Sequence, residues 1–273
     1  MHIREQRAEK PNLERLVCQL LAERSDVDSE KATIRSLWRT ASHAPANTVI
    51  SETGEPRLIT SGWAGWLRYG HGGRRQIFLF LMPGDFIVPG LFQLECCDLV
   101  SLTPLRTVSA TSLAEDPSTQ AAAMISDSGR YYRLLLLDHL TRLTAGCTSR
   151  SVAHLLTEFH ARSVRSGACV AGRFSLPIGQ RVIASALGRS TVQINKIISQ
   201  LHDQGLLDVG YDWIELRDPE KLRAMAGLSH SVLGISRPTA CLDTLGLTEP
   251  RDGIMVTDIV AHNRGPQRHE MVR

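Results

Sequence analysis

The stretch Leu176 to Leu207, LPIGQRVIASALGRSTVQINKIISQLHDQGLL, limits the possible folds of this chain more than any other. Ile183, Leu187, Ile194 and Ile197 are spaced to share one core between two short helices, the first from Gly179 to Ala186 and the second from Ser190 to His202. Gly188 falls at the turn between them, where a positive φ is cheap only for glycine. Ala184 is small where the second helix must cross closely, and Ser190 carries the hydroxyl of an N-cap.

The second helix has two faces. Ile194, Ile197, Ile198 and Leu201 point inward, while Thr191, Gln193, Asn195 and Lys196 point outward. That outward set is short, polar and basic at its end, which suits hydrogen bonding to base edges in a major groove. Any helix pair around a glycine turn imitates this pattern, so the segment downstream of the pair carries weight. Leu207 to Val209, the turn Gly210-Tyr211-Asp212 and the β-prone Trp213 to Leu216 form a hairpin where a winged helix has its wing.

Charge agrees. Between Arg150 and Gly205 stand seven cations, Arg150, Arg162, Arg165, Arg173, Arg181, Arg189 and Lys196, against Glu158 and Asp203, an excess of five. Over the whole chain the net charge is only +3, which by itself says little about an anionic partner. The competing readings are a small α+β packing domain, and a ligand-binding or protein-interaction module whose winged helix contacts protein and not DNA.

Upstream the texture changes. From Ala44 to Ser112, short β-prone runs (Thr48 to Ile50, Arg57 to Thr60, Ala64 to Tyr69, Gln76 to Met82, Thr107 to Ala110) alternate with glycine and proline, as in a compact antiparallel barrel or roll. After Pro117, positions Ile125, Gly129, Tyr132, Leu136, Leu140, Leu143 and Cys147 step by threes and fours along a helix expected through Tyr131 to Thr144. Tyr132, Leu136, Leu140 and Leu143 on this stripe are candidates for pairing with a second copy; packing on the chain's own barrel explains the stripe equally well. Gly146 ends or bends that helix, Ser151 opens another amphipathic segment, and Asp218 with Pro219 starts a last short helix. The expected segmentation is a helical lead-in over 1–40, a β-roll over 41–116, a dimerisation helix over 117–147, a winged helix over 148–227 and a disordered tail over 228–273.

At 273 residues the chain holds two ordinary domains without a disulfide framework. The first ten residues lack the apolar core of a secretory signal, and the longest apolar run, Leu134 to Leu137, is far too short for a membrane span. A cytoplasmic protein with no membrane partner is expected. The six cysteines show no CxxC pair and no zinc spacing, so no metal is expected. Adjacent Cys96 and Cys97 read as inert strand thiols on opposite faces, with a redox or metal element as the alternative. Trp63 and Trp66 suit either a ligand pocket or the packing of the roll. His71, in a glycine-rich turn, reads as a turn residue and not a haem ligand. No signature of a hydrolase, metalloprotease, phosphate loop or dinucleotide site occurs, so neither an enzyme nor a cofactor is expected.

Three features carry a family resemblance: Ala-Leu-Gly-Arg-Ser at 186–190, the exit Leu-His-Asp-Gln-Gly-Leu-Leu at 201–207, and Leu-Met-Pro-Gly-Asp-Phe at 81–86. The chain resembles the Crp/Fnr family of regulators in consistent order from about Asn12 to Ala226. The resemblance implies an α+β protein: a double-stranded β-helix (jelly-roll-like) sensor domain, a long dimerisation helix and a C-terminal winged helix-turn-helix. It implies double-stranded DNA, a second copy of the chain and RNA polymerase as partners.

By position, the resemblance places Thr191, Val192 and Lys196 nearest the bases, with Ser190 and Gln193 toward phosphates or flanking bases. Val192 departs from the carboxylate that many relatives carry, so their half-site preference does not transfer; an apolar group there suits a thymine methyl. Arg181 and Arg189 are candidate phosphate contacts, with an exposed solubilising charge as the simpler alternative. Relatives that bind cyclic nucleotides hold them with a Gly-Glu pair and an Arg-Ser or Arg-Thr pair. Residues Phe86 to Val100 contain neither, and Cys97-Asp98 falls where the phosphate clamp belongs. Cyclic AMP is therefore not the expected effector, and the sequence names no other.

Overall fold

The computed structural model describes residues 36–227, apart from 52–53, 71–72, 74, 93–95 and 116–119. Most of the expected lead-in, His71 and the tail from 228 onward lie outside the described residues.

Seven strands lie between Ser42 and Ser109: β1 (Ser42–Ala44), β2 (Arg57–Ser61), β3 (Ala64–Tyr69), β4 (Arg75–Leu81), β5 (Phe86–Ile87), β6 (Cys97–Ser101) and β7 (Leu105–Ser109). They form two antiparallel sheets, one ordered β1-β7-β2-β5 and the other β4-β3-β6. Ile59, Trp66, Leu79, Leu81, Ile87, Leu99 and Leu105 pack into one core drawn from both sheets. β2 is buried at Leu58, Ile59 and Thr60 in succession, because its sheet is covered on both sides: Ile59 faces this core, and Leu58 faces a second one with Leu37, Phe86 and Val108. Gly62 is required where the chain turns between β2 and β3: its φ is +78°, and a Cβ there would lie 2.0 Å from the carbonyl oxygen of Pro104.

The expected strand at Thr48 to Ile50 is reduced to a single bridge from Val49 to Val100. Conversely β1, β5 and β6 carry no alternation long enough to read. β5 is two residues long, pairing Phe86 with Leu58 and Ile87 with Arg57.

Helix α1 (Thr111–Ala114) leads to α2 (Gln120–Thr144), which runs through Tyr131 to Thr144 and begins eleven residues upstream of Tyr131, inside the 117–147 segment. Along α2 the buried positions are Ala122, Ser128, Tyr132, Leu135, His139 and Arg142. Tyr132 therefore contradicts its expected place on a seam between copies. Only 1% of it is exposed, and its hydroxyl donates to the carbonyl of Phe86 (2.5 Å) inside its own subunit. Leu136 also packs partly against the sensor core. The outward apolar stripe consists of Leu137, Leu140 and Leu143, exposed by 57, 57 and 37%.

After Gly146 (φ +66°), α3 (Thr148–Arg165) starts three residues earlier than expected. It is buried at every position from Ser151 to Phe159, because the sensor sheet lies on one side and the last helices on the other. Phe159 meets Trp63 and Phe80 edge-on at centroid distances of 4.8 and 5.2 Å. Trp63 is thus a core residue, as is Trp66, which packs against Phe92.

A buried chain of charges ties the same elements together. Arg142 of α2 donates to Glu158 of α3, Arg162 donates to the other oxygen of Glu158 (2.8 Å), and Arg162 Nη2 reaches both Asp85 and the carbonyl of Phe80 (2.7 Å). Asp85 closes the Pro83-Gly84 turn by accepting from the Met82 amide (2.7 Å). Burial pushes the Glu158 carboxyl up, but Arg142 and Arg162 together outweigh it and hold the group below the usual carboxylate range.

Downstream come β8 (Arg173–Ser175), α4 (Gln180–Leu187), α5 (Thr191–Asp203), β9 (Leu207–Val209), β10 (Trp213–Leu216) and α6 (Pro219–Ala226). Asp218 caps α6 by accepting from the Lys221 amide (2.9 Å), with Pro219 at its first position.

Candidate nucleic-acid interface

Helices α4 and α5 pack through Ile183, Ala184, Leu187, Ile194, Ile198 and Leu201, all buried, with Ile197 half-buried beside them. Between them Gly188 is left-handed (φ +60°), and its amide caps α4 by donating to the carbonyls of Ala184 and Ser185. α5 opens on a capping box: Ser190 Oγ accepts from the Gln193 amide (3.2 Å) and Gln193 Oε1 accepts from the Ser190 amide (3.1 Å). This makes α5 a rigid rod from its first turn.

Its outward face is the expected one. Thr191, Val192, Gln193, Asn195 and Lys196 are exposed, Val192 by 78%. Ser190 and Gln193 are exposed as well, though the cap already engages Ser190 Oγ and Gln193 Oε1. Arg181, on the first turn of α4, is exposed; Arg189 is half-buried, and its Nε is buried without a hydrogen-bond partner.

The basic segment is less uniform than its composition. Arg162 is buried in ion pairs, Arg165 lies 3.7 Å from Asp85, and Arg173 pairs with Glu215 (2.8 Å). Among the described residues, Arg150, Arg181, Arg189 and Lys196 carry no such carboxylate partner. Three of these four, Arg181, Arg189 and Lys196, lie on or between α4 and α5, and Arg150 lies in the first turn of α3.

The wing is the hairpin β9-β10, and β8 pairs on the other side of β10 to give a three-stranded sheet ordered β8-β10-β9. At the turn a Cβ on Gly210 would lie 2.1 Å from Trp213 Nε1, so any larger residue there displaces the indole. Trp213 is covered on one face by the Arg173 guanidinium at 3.8 Å. Tyr211 is fully exposed at the tip. The sequence pattern singles out neither β8 nor Tyr211 as part of the site; an aromatic ring in the middle of a Gly-x-Asp turn is the available signal for the latter.

The front of the reader meets the sensor. Gln76 Nε2 donates to the Ala186 carbonyl (3.0 Å) and Ser185 Oγ to the Arg75 carbonyl (2.5 Å), so α4 is fastened to β4.

Residues 150–225 match the family model described as a Crp-like helix-turn-helix domain. The structure of FixK2 from Bradyrhizobium japonicum is 25% identical and superposes with a TM-score of 0.56, over 68% of this chain and 96% of that one. The chain is a DNA-binding transcription regulator of the Crp/Fnr type. A CRP-family transcriptional regulator from Thermus thermophilus shares the fold at a TM-score of 0.51 and 17% identity, covering 71% of this regulator and 98% of its own chain. No curated protein matches the regulator in sequence.

Among the described residues of the regulator, no helix is long and apolar enough to cross a membrane, and no three His, Cys, Asp or Glu side chains group to hold a metal ion. The sulfur atoms of Cys96 and Cys97 lie 3.9 Å apart, which corrects the expectation that they face opposite ways.

Proposed function

We propose that the regulator binds a roughly palindromic operator as a homodimer, laying one α5 helix into each of two successive major grooves about 34 Å apart. The observation that carries this reading is the face of α5: a capped helix whose Thr191, Val192, Asn195 and Lys196 are exposed together while its opposite side forms the core. Lys196 and Thr191 offer donors to base edges, and Val192 offers a methyl-sized apolar contact for thymine. Arg181 and Arg189 supply phosphate contacts, as does the wing tip through Tyr211. Leu137, Leu140 and Leu143 supply the seam that fixes the distance between two α5 helices.

Cyclic AMP is not the effector in this account. Asp85 is engaged by Arg162, and β6 begins with Cys97 and Asp98, whose carboxylate would repel a cyclic phosphate. The regulator works in the cytoplasm, performs no catalysis and acts on transcription through RNA polymerase.

The test is retardation of an operator fragment selected from genomic DNA. Lys196→Ala should abolish sequence-specific retardation while leaving the dimer intact; unchanged discrimination removes Lys196 from the reading face. A winged helix that instead contacts protein predicts weak DNA association insensitive to salt, whereas phosphate neutralisation predicts a steep logarithmic salt slope.

A further inference from the structure

Cys96 and Cys97 stand at the entrance to β6, far in sequence from the helix-turn-helix and unused by its function. Successive side chains on a regular strand face opposite ways, yet here the two sulfurs lie 3.9 Å apart. Cys97 is the first residue of the strand, paired with Arg68 of β3, while Cys96 belongs to the preceding turn and escapes the pleat. Both are free thiols; Cys96 is exposed and Cys97 half-buried. The pair therefore opens to solvent on one side. On the other, Cys97 packs against the core that holds Trp66, Leu99 and Tyr132.

The surroundings narrow what such a pair can take. Neighbouring Cα atoms are about 3.8 Å apart, short of the range of about 4.4–6.8 Å that a disulfide prefers, so direct closure strains the backbone. Zinc prefers four ligands, and no third His, Cys, Asp or Glu joins the two thiols among the described residues. A centre that needs only three bonds is satisfied by two sulfurs and one further group. Two bonds of about 2.3 Å, the length of a zinc–thiolate bond, span the observed gap. The product is uncharged, which suits the half-buried Cys97, whose thiol burial pushes up.

We propose that Cys96 and Cys97 form a chelating dithiol site for trivalent arsenic, delivered as arsenous acid or as an organoarsenical. With arsenous acid, two As–OH bonds break and two As–S bonds form. Each thiol proton leaves with a hydroxide as water, and no atom changes oxidation state. The site does not rest on the DNA-reading function, so its failure and the failure of that function are separate results.

The full chain is incubated with phenylarsine oxide, and in a second arm with arsenite, under excess 2-mercaptoethanol, and weighed by native mass spectrometry. The wild type should carry one arsenical per chain, with one water lost from phenylarsine oxide or two from arsenous acid. Cys147→Ser and Cys169→Ser should keep the adduct, and Cys96→Ser and Cys97→Ser should bind at least tenfold more weakly. On unmutated protein the arsenical should protect Cys96 and Cys97, but not Cys147, from iodoacetamide, which reads the site even if a serine variant misfolds. No adduct surviving the monothiol, an undiminished adduct in Cys96→Ser, or a loss of two hydrogens showing that the pair closes to a disulfide would each overturn the proposal.

Discussion

Arg162, on the first helix of the DNA-reading half, holds the carboxylate of Asp85 in the sensor's tight turn, and only 2% and 4% of the two side chains are exposed. A charge buried this deeply is stable only with its partner present. Arg162 also carries Glu158 and the Phe80 carbonyl, so one guanidinium joins the sensor turn, β4 and α3.

Asp85→Ala leaves that guanidinium short of one anion and opens the turn it closes. Removing one member of a buried pair costs about 3–5 kcal/mol. Urea unfolding should show a loss of this size, and a loss below about 1 kcal/mol, the worth of an exposed pair, would mean that the pair is solvated in the working protein.

His139 and His154 are buried beside Arg142 and Glu158, and the Nε2 of each lacks a hydrogen-bond partner. Burial first, and Arg142 second, lower both imidazoles to about 4. A base whose pKa is depressed by folding stabilises the fold fully above its unfolded value of about 6.5, and that contribution is lost as pH falls toward about 4. Asp138 works in the opposite sense, since burial raises it to about 6. Two histidines outweigh one aspartate, so the unfolding midpoint in urea should fall between pH 6.5 and 4. His154→Gln should make the profile shallower over that window, where His139 and His160, both lowered by burial, still contribute, and an unchanged slope would contradict the assignment.

Cys147 stands at the N-cap position of α3 and is exposed, and the nearby amides of Arg150 and Ser149 lower its thiol pKa. Burial raises that of Cys169. At pH 7, iodoacetamide should label Cys147 faster than Cys169 in peptide mass spectra, with the ratio shrinking as pH rises and both thiols ionise. Equal rates at pH 7 would contradict this ordering of the two thiols.

The two sides of α2 should respond differently. Leu137→Glu combined with Leu140→Glu places charges on the exposed stripe and should give a folded monomer in sedimentation velocity. Tyr132→Phe leaves the Phe86 carbonyl without its donor, costing about 1–3 kcal/mol for an unsatisfied buried group, and should leave the oligomeric state untouched. A dimer that survives the double substitution would place the seam elsewhere.

The reader was legible because several local rules agree there. Gly188 at a left-handed turn, Ser190 with Gln193 three residues on, and apolar residues at helical spacing all specify the same two helices. The Gly210-Tyr211-Asp212 turn likewise marked the hairpin. On α2 the period was legible but the phase was not. Leucines at 134–137, 140 and 143 surround most of the helix, and the polar residues that define the buried side, Ser128, His139 and Arg142, read as surface. The carboxylate that Arg142 meets, Glu158, comes from a different helix, which no local window contains. Strands β1, β5 and β8, of two or three residues, are held by their neighbours and show no period of their own. The charge excess overstated the DNA-facing surface for the same reason, since Arg162 and Arg173 face carboxylates distant in sequence.

The most direct test is selection from a random duplex library by the full-length protein at physiological salt, followed by sequencing of the retained fragments. The account predicts an inverted repeat whose half-site centres lie one helical turn apart, about 34 Å, and whose most informative base pairs change when Val192 or Lys196 is replaced. Retention of fragments with no shared repeat, or a repeat indifferent to both substitutions, would contradict it.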